Sequence, residues 1–182
     1  MCYENPMRIE KENQKKLMFW STTKTSLGEL LLASTNKGIC RISFNEGYEQ
    51  LSKRFLLHNI RKSVENTKCL INQVAELVEN PISAPSIETP IDMMGTAFQR
   101  AVWDQLRKIP MGETCTYKDI AKAIDNPLAS RAVGNANRSN GVAVLVPCHR
   151  VVPAKGSFGG YAYGSSIKKE LLKREGAIGN LA

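Results

Sequence analysis

The most informative stretch of this sequence is Val146-Pro147-Cys148-His149-Arg150-Val151-Val152. It places a thiol, an imidazole and a guanidinium side by side, in a chain that contains only 2 histidines and 5 cysteines. A cysteine attacks as its thiolate, and a neighbouring cation or imidazole lowers the thiol pKa and raises the thiolate fraction. The stretch therefore predicts a reactive cysteine at Cys148.

The apolar run before this cysteine, residues 142–146, predicts a strand that ends at Pro147, because proline has no N–H to donate to a sheet. Successive side chains of an extended chain point to opposite faces, so we expect water to bridge Cys148 and His149. Cys148 is alternatively a small buried hydrophobic residue. The adjacent His149 and Arg150 argue against that alternative, since burying an unpaired charge is costly.

One carboxylate near the end of the chain is a candidate partner for the imidazole. Apolar spacing predicts a last helix over residues 166–174 and places Glu175 at its C-terminal end. The helix dipole disfavours an anion there by about 0.3–1 kcal/mol. Glu175 therefore either orients and charges His149 or is an ordinary solvated glutamate.

The basic charge of the chain is concentrated in the half that carries Cys148. Residues 1–95 contain 12 Lys and Arg against 11 Asp and Glu, whereas residues 96–182 contain 13 against 6, so the net charges are +1 and +7. A basic half predicts a polyanionic partner such as nucleic acid or anionic lipid. The alternative is a surface that only keeps the protein soluble.

Other features of the composition exclude several classes of protein. No apolar run approaches the roughly 20 residues that span a bilayer, and 5 scattered cysteines do not form a disulfide framework. Without a Cys-x-x-Cys motif, and with Cys148 and His149 adjacent, no metal site is expected. We expect a monomer in a reducing compartment, the cytoplasm or a eukaryotic nucleus.

The first half of the chain is typical of a small sheet with helices. After a loose leader over residues 1–16, apolar runs separated by turn signals predict two or three antiparallel strands between residues 17 and 44. Helical spacing follows over residues 48–58 and 68–79, with Leu70, Val74 and Leu77 on one face. Prolines at 81, 85 and 90 then indicate a linker or crossover.

The second half begins with a capping box, Thr96 with Gln99, and a helix that ends before Pro110. A second helix follows Thr116, and a third covers residues 129–138, which are rich in small side chains. Two short helices joined by a tight turn resemble a helix-turn-helix, although they are alternatively a helical hairpin that binds nothing. These patterns predict an α/β (α+β) chain of two domains, residues 1–92 and residues 93–182.

Residues 95–176 contain an ordered set of short motifs: Gly95-Thr96-Ala97-Phe98-Gln99, Ile109-Pro110-x-Gly112-Glu113-Thr114, Tyr117, Arg131-Ala132-Val133-Gly134, Asn140, Pro147-Cys148-His149-Arg150-Val151-Val152, Gly159-Gly160-Tyr161 and Leu171-Leu172-x-x-Glu175-Gly176. With these segments the region resembles the catalytic domain of the O6-alkylguanine-DNA alkyltransferases, also called methylated-DNA–protein-cysteine methyltransferases. The segments are ordered, specific and cover nearly half of the chain. Residues 17–92 would then be the smaller N-terminal domain of the family, whose sequence is less diagnostic.

The resemblance implies single-turnover repair of double-stranded DNA that contains O6-alkylguanine, with O4-alkylthymine as a further substrate to test. Cys148 would take the alkyl group irreversibly, with no cofactor to regenerate it, and His149 and Glu175 would deprotonate it through water. The flipped base would be bound by Tyr117, Asn140, Val151, Tyr161 and Ala162, and the DNA by Arg131, Lys118, Asn126, Ala132 and Arg138.

Within this resemblance several residues carry specific expectations. Tyr117 would donate a hydrogen bond to the base, and Arg131 would fill the space that the flipped base leaves in the stack. Asn140 would connect the helix that carries Arg131 to the Cys148 segment. Carbonyls of Cys148 and Val151 would receive the exocyclic amine of guanine. The second helix would enter the minor groove.

Two positions depart from some relatives. Ala162 stands where some have serine and offers only its backbone amide, and Tyr163 stands where some have glycine and would narrow the pocket. The alternatives are a DNA-binding protein without chemistry, which binds alkyl lesions and stays unmodified, and a cysteine hydrolase. The hydrolase would need a separate histidine and an oxyanion hole.

Overall fold

The computed structural model describes residues 16–154 and 157–177. The predicted leader, residues 1–16, lies outside this part of the chain except for Lys16, which begins the first strand.

A four-stranded mixed sheet forms the first half. Strands β1 (Lys16–Thr25), β2 (Gly28–Thr35) and β3 (Gly38–Phe44) pair antiparallel in sequence order, and β4 (His58–Lys62) pairs parallel to β1, which gives the order β3-β2-β1-β4. Two or three antiparallel strands were predicted between residues 17 and 44, and three are present. The predicted helix over residues 48–58 is too long: helix α1 (Tyr48–Arg54) ends before Phe55, and the chain turns into β4.

Helix α2 (Val64–Glu79) packs on strands β1 and β2. Its buried residues are Thr67, Ile71, Val74 and Val78, whereas Leu70 and Leu77 of the predicted stripe are only partly buried. Thr67 tolerates burial because its hydroxyl lies 2.6 Å from the Ser21 hydroxyl and 2.7 Å from the Ser63 carbonyl. The buried face of α2 begins with Thr67, which a count of apolar residues does not include. The predicted buried face was therefore rotated from the observed one.

Helices dominate the second half. They are α3 (Ala97–Leu106), α4 (Tyr117–Ala123), α5 (Ser130–Arg138) and α6 (Ser165–Arg174), and a short parallel pair joins β5 (Cys115–Thr116) to β6 (Val151–Val152). The predicted capping box of Thr96 and Gln99 is confirmed at the start of α3. Helices α3, α4 and α5 pack on one another, and residues 124–129 connect α4 to α5.

Strand β3 joins the sheet to the segment that leads to Cys148. The Ile42 N–H donates to the Gly141 carbonyl at 2.9 Å, and the Ala143 N–H donates to the Ile42 carbonyl at 3.1 Å. One buried apolar cluster contains Ile42 of the sheet together with Val102 and Val133 of the helices. The division at residue 92 stays a prediction, because the two halves share this core.

Candidate active site

The segment before Cys148 is not the predicted strand. Val142 makes an isolated parallel bridge with Ile42, and residues 143–145 then form turns in which Val144 has a positive φ of 70°. The side chain of Asn140 supplies partners that a strand neighbour would otherwise provide: its Oδ1 accepts the Val142 N–H at 3.0 Å and its Nδ2 donates to the Val146 carbonyl at 2.8 Å. Val142, Ala143, Val144 and Val146 are buried as expected, in the apolar cluster that the sheet and the helices share, and Leu145 is partly buried against it.

Cys148 begins a single 3-10 turn, Cys148–Arg150, which runs directly into β6. Its side chain is 3% exposed, and Asn140 Nδ2 donates to Sγ at 3.0 Å. Burial raises the pKa of the Cys148 thiol, while the Asn140 amide, the nearby Tyr161 hydroxyl and the Lys168 ammonium act to lower it. The thiol is thus desolvated but surrounded by groups that favour its anion.

A buried carboxylate lies beside the neighbouring imidazole. Glu175, at the C-terminal end of α6, accepts at Oε1 from His149 Nε2 at 3.0 Å. Arg150 donates to the same carboxylate from Nε and Nη2, each at 2.9 Å, and from Nη1 to the Ile109 carbonyl at 2.6 Å. Arg150 therefore neutralises Glu175 rather than the thiol, contrary to the simplest interpretation of the Cys-His-Arg sequence.

The protonation states of this group follow from burial and contact. Burial would raise the pKa of Glu175, but hydrogen bonds from His149 and Arg150 outweigh it and lower the pKa to about 2. Burial lowers the pKa of His149 against the opposing effect of Glu175. A neutral imidazole that donates from Nε2 leaves Nδ1 as an acceptor. Nδ1 is buried and has no hydrogen-bond partner among the described residues.

Two buried polar residues of this site are not among the residues predicted from the sequence. Asn137 of α5 donates from Nδ2 to the Cys148 carbonyl at 3.2 Å, and Lys168 of α6 donates from Nζ to the Val151 carbonyl at 2.6 Å. Helical spacing could have found both. Asn137 lies four residues after the buried Val133, and Lys168 precedes Leu171 and Leu172 on one helical face.

A cavity of about 480 Å³ opens beside Cys148. Its walls are Tyr117, Arg131, Gly134, Asn135, Asn137, Arg138, Asn140, Cys148, Gly160, Tyr161, Ala162 and Tyr163. Six residues predicted to bind the base or the DNA are among them, namely Tyr117, Asn140, Tyr161, Ala162, Arg131 and Arg138.

The other predicted contact residues are not among the residues that line the cavity. Lys118, Asn126 and Ala132 are exposed on α4, on the turn that follows it and on α5. Val151 is buried, and its carbonyl already accepts Lys168. The Cys148 carbonyl likewise accepts both Asn137 and the Val151 N–H, so a base amine would compete for either oxygen.

Tyr163 forms one wall and is held by the sheet. Its hydroxyl donates to the Ile42 carbonyl at 3.4 Å, and its ring meets Phe44 edge-on at 5.7 Å between centroids. Burial raises the pKa of Tyr163 to about 12. The bulky side chain that the sequence places at this position therefore lines the cavity and has little freedom to leave it.

Two findings bear on other kinds of function. Within residues 16–154 and 157–177, no three His, Cys, Asp or Glu side chains are grouped so that they could hold a metal ion. In the same part of the chain, no helix is long and apolar enough to cross a membrane.

Comparison with known proteins identifies the family. Residues 97–177 match the model described as "6-O-methylguanine DNA methyltransferase, DNA binding domain", and residues 18–76 match "6-O-methylguanine DNA methyltransferase, ribonuclease-like domain". A methylated-DNA–protein-cysteine methyltransferase of Methanosarcina acetivorans is 37% identical over 162 residues, which cover 88% of this chain and 99% of that protein. The chain belongs to the methylated-DNA–protein-cysteine methyltransferase family.

Solved structures agree with this membership of the methylated-DNA–protein-cysteine methyltransferase family. OGT of Mycobacterium tuberculosis, solved in complex with DNA, is 31% identical and superposes with a TM-score of 0.75, over 87% of this chain and 93% of that one. An O6-methylguanine DNA methyltransferase of Methanococcus jannaschii is 28% identical with a TM-score of 0.60, over 86% of this chain and 93% of that one. The α+β class predicted from the sequence is confirmed.

Proposed function

We propose that this protein repairs double-stranded DNA directly, by moving the alkyl group of O6-alkylguanine, in the simplest case a methyl group, irreversibly onto its own Cys148. The observation that carries the proposal is a buried thiol that forms part of the wall of a 480 Å³ cavity, bonded to Asn140, with the His149–Glu175 pair beside it. Family membership supports the reaction class, and the geometry supports the choice of residue.

The reaction is a single displacement. The Cys148 thiolate attacks the alkyl carbon, a carbon–sulfur bond forms, and the bond between that carbon and O6 breaks with its electron pair left on the base. The thiol proton passes through water to the free Nδ1 of His149, where Glu175 stabilises the imidazolium. The departing guanine anion regains one proton, which balances the one lost from sulfur.

Tyr117 is suited to assist the departure of the base. Burial raises the pKa of the Tyr117 hydroxyl, and the nearby Cys148 raises it further, so the hydroxyl stays protonated and can donate. A donor aimed at charge that develops on the leaving base lowers the barrier most where water is excluded. Tyr161 and the Ala162 backbone amide complete the base site, and the carbonyls of Cys148 and Val151 receive the exocyclic amine in competition with Asn137 and Lys168.

The damaged base must leave the duplex, because a nucleobase inside the stack cannot reach a buried thiol. Helix α5 presents the exposed Arg131 and Ala132 beside Gly134, and small side chains allow close approach to the minor groove. Arg131 then fills the space that the base leaves. Lys118, Asn126 and Arg138 are exposed and contact the DNA strands.

Intact-mass measurement after incubation with a methylated duplex tests the proposal. We expect a gain of one methyl group per chain, lost in Cys148→Ala. A protein that binds the alkylated duplex yet keeps its mass is instead a non-catalytic lesion-binding protein. One that methylates at another residue, or that turns over repeatedly, also contradicts the proposal.

A further inference from the structure

Asn137 carries a buried acceptor to which the reaction above gives no role. The residue lies on α5, forms part of the cavity wall and is 8% exposed. Its Nδ2 donates to the Cys148 carbonyl at 3.2 Å, whereas its Oδ1 is buried and has no hydrogen-bond partner among the described residues. Leaving a buried amide oxygen unpaired destabilises a folded protein, so such an atom in the wall of a binding cavity is a candidate contact for the ligand.

The amide of Asn137 lies where an extruded base would enter. Through Nδ2 it contacts the backbone of the nucleophile itself. Burial raises the pKa of the Tyr117 hydroxyl and the Asn137 amide acts to lower it, so the amide is also close to the hydroxyl that would donate to the base. Tyr117, Asn137 and Cys148 all line the same cavity. The χ2 torsion of asparagine is soft, so a small rotation turns Oδ1 toward the cavity without moving α5.

The base brings a donor that needs an acceptor in this cavity. O6-alkylguanine carries an exocyclic amine at C2, and a donor that enters a pocket without a partner weakens binding. The Cys148 carbonyl, one expected partner, already accepts Asn137 Nδ2 and the Val151 N–H. The Val151 carbonyl, the other, accepts Lys168 Nζ at 2.6 Å. Neither carbonyl can receive the amine without weakening a bond inside the protein.

The other polar side chains nearest the thiol are engaged elsewhere. Asn140 Oδ1 accepts the Val142 N–H at 3.0 Å. Burial raises the pKa of the Cys148 thiol, and the Asn140 amide and the Tyr161 hydroxyl act to lower it, so that hydroxyl serves the sulfur. Among the described residues, Asn137 Oδ1 is the side-chain amide oxygen of the cavity wall that is both buried and unpaired.

We propose that Asn137 selects a base with an exocyclic amine, because its Oδ1 accepts one N–H of that amine. The Cys148 carbonyl keeps its bonds to Asn137 Nδ2 and to the Val151 N–H. This inference rests on the proposed function for the reaction itself, and it adds a contact to the base at C2, away from the alkyl carbon. A lesion without the amine should therefore react more slowly, although its alkyl group and its leaving oxygen are unchanged.

The alternative is a structural role, in which Asn137 only holds the nucleophile segment through Nδ2. Asn137→Leu keeps the branched shape, and so still covers the Cys148 carbonyl, but it has no acceptor. Asn137→Asp keeps an oxygen acceptor and loses the amide donor. Asn135→Leu is the matched control, because Asn135 lies on the same helix and lines the same cavity but is exposed.

Second-order rate constants for methyl transfer from two lesions in the same duplex separate the two roles. O6-methylguanine and O6-methylhypoxanthine differ only in the exocyclic amine, so the ratio of their rate constants reports how the amine is recognised. We expect the unsubstituted protein to react about tenfold faster with O6-methylguanine. The ratio should fall toward 1 in Asn137→Leu and persist in Asn137→Asp and Asn135→Leu. Comparing ratios between variants cancels any difference in stability between the two duplexes.

A purely structural role gives a different result. Asn137→Leu then slows both lesions by the same factor and leaves the ratio unchanged, which overturns the proposal. Loss of the ratio in Asn137→Asp as well assigns the selection to the Nδ2 donor and also overturns it. Equal rate constants for the two lesions in the unsubstituted protein overturn it without any variant. In all three cases the proposed function stands, whereas it fails together with this inference if neither lesion methylates Cys148.

Discussion

At the scale of single residues, Glu175 connects reactivity to stability. Its pKa in the folded state, about 2, lies below the usual 4.5 because His149 and Arg150 bond to its anion. The stabilisation is therefore present above pH 4.5 and is lost as the pH falls from there toward 2. The difference between these two pKa values corresponds to about 3 kcal/mol in the free energy of unfolding.

Glu175→Gln should remove this acid-dependent stability and lower the single-turnover rate of methyl transfer by about 10²-fold or more, since the imidazolium of His149 loses its stabilising charge. Acid unfolding and a quenched single-turnover assay measure the two effects. Glu170→Gln is the control, because Glu170 pairs with Arg174 at the surface of the same helix. Equal behaviour of the two variants would show that Glu175 is an ordinary glutamate.

Tyr163 is the residue that we expect to select the size of the alkyl group. Its ring lines the cavity, and Phe44 and the Ile42 carbonyl hold it in place. Methyl transfer should therefore be faster than benzyl transfer, measured as single-turnover rates with O6-methylguanine and O6-benzylguanine. Tyr163→Gly should recover the benzyl rate selectively. Benzyl transfer that is as fast as methyl transfer in the unsubstituted protein would defeat this expectation.

At the scale of elements, helix α4 depends on its cap to present Tyr117. Thr116 Oγ1 accepts the Asp119 N–H at 3.2 Å, and Asp119 accepts the Thr116 N–H at 3.1 Å. Thr116→Ala should cost about 1 kcal/mol in the free energy of unfolding. It should also slow methyl transfer, because without the cap the first turn of α4 no longer holds the Tyr117 hydroxyl in position.

Thr96→Ala is the matched control for that prediction. The same kind of capping box starts α3, with Thr96 and Gln99, but no residue of α3 lines the cavity. Denaturant unfolding should give similar losses for the two variants, while the transfer rate should fall only for Thr116→Ala. A similar fall in rate for both would mean that global stability, and not the position of Tyr117, controls the reaction.

These elements also show what the sequence reveals and what it leaves out. Capping boxes and turn signals are local, so α3, α4 and the first three strands were predicted correctly. Residues 142–146 were mistaken for a strand because only Val142 bridges β3, while the Asn140 side chain bonds the Val142 N–H and the Val146 carbonyl, contacts that exist only in the folded protein. Strand β4 was not predicted, because Ile60 is its one apolar residue and the strand forms through backbone pairing with β1.

The candidate site shows the same difference between signals that are local in the sequence and contacts that exist only in the folded protein. Family motifs identified Cys148, His149 and Glu175, and the structure brings these three residues together. Lys168 and Asn137 were missed because apolar periodicity assigns polar residues to the surface. Each is buried against a backbone carbonyl of the nucleophile segment. Helical spacing could have placed both residues on buried faces, but only the folded arrangement reveals which carbonyl each one contacts.

At the scale of the whole molecule, the basic charge is concentrated in one half of the chain. The second half, residues 96–182, contains 13 Lys and Arg against 6 Asp and Glu, and three of its exposed cations, Lys118, Arg131 and Arg138, lie on α4 and α5. Contacts between cations and phosphates release counterions, so the logarithm of the binding constant falls linearly with the logarithm of salt concentration. The slope of this line reports the number of phosphates that the protein neutralises. A change in slope when one cation is removed therefore shows whether that cation contacts DNA.

Lys118→Ala should weaken binding to any duplex, damaged or not, and reduce the magnitude of the salt slope by about 1. Lys24→Ala is the control, because Lys24 is exposed on β1 in the nearly neutral first half. Fluorescence anisotropy at several salt concentrations gives both slopes. If Lys24 changes the slope and Lys118 does not, the sheet rather than α4 faces DNA, and the placement of the duplex across α4 and α5 is wrong. If only Lys118 changes it, α4 meets DNA at the end where the neighbouring Tyr117 lines the cavity at Cys148, as base extrusion requires.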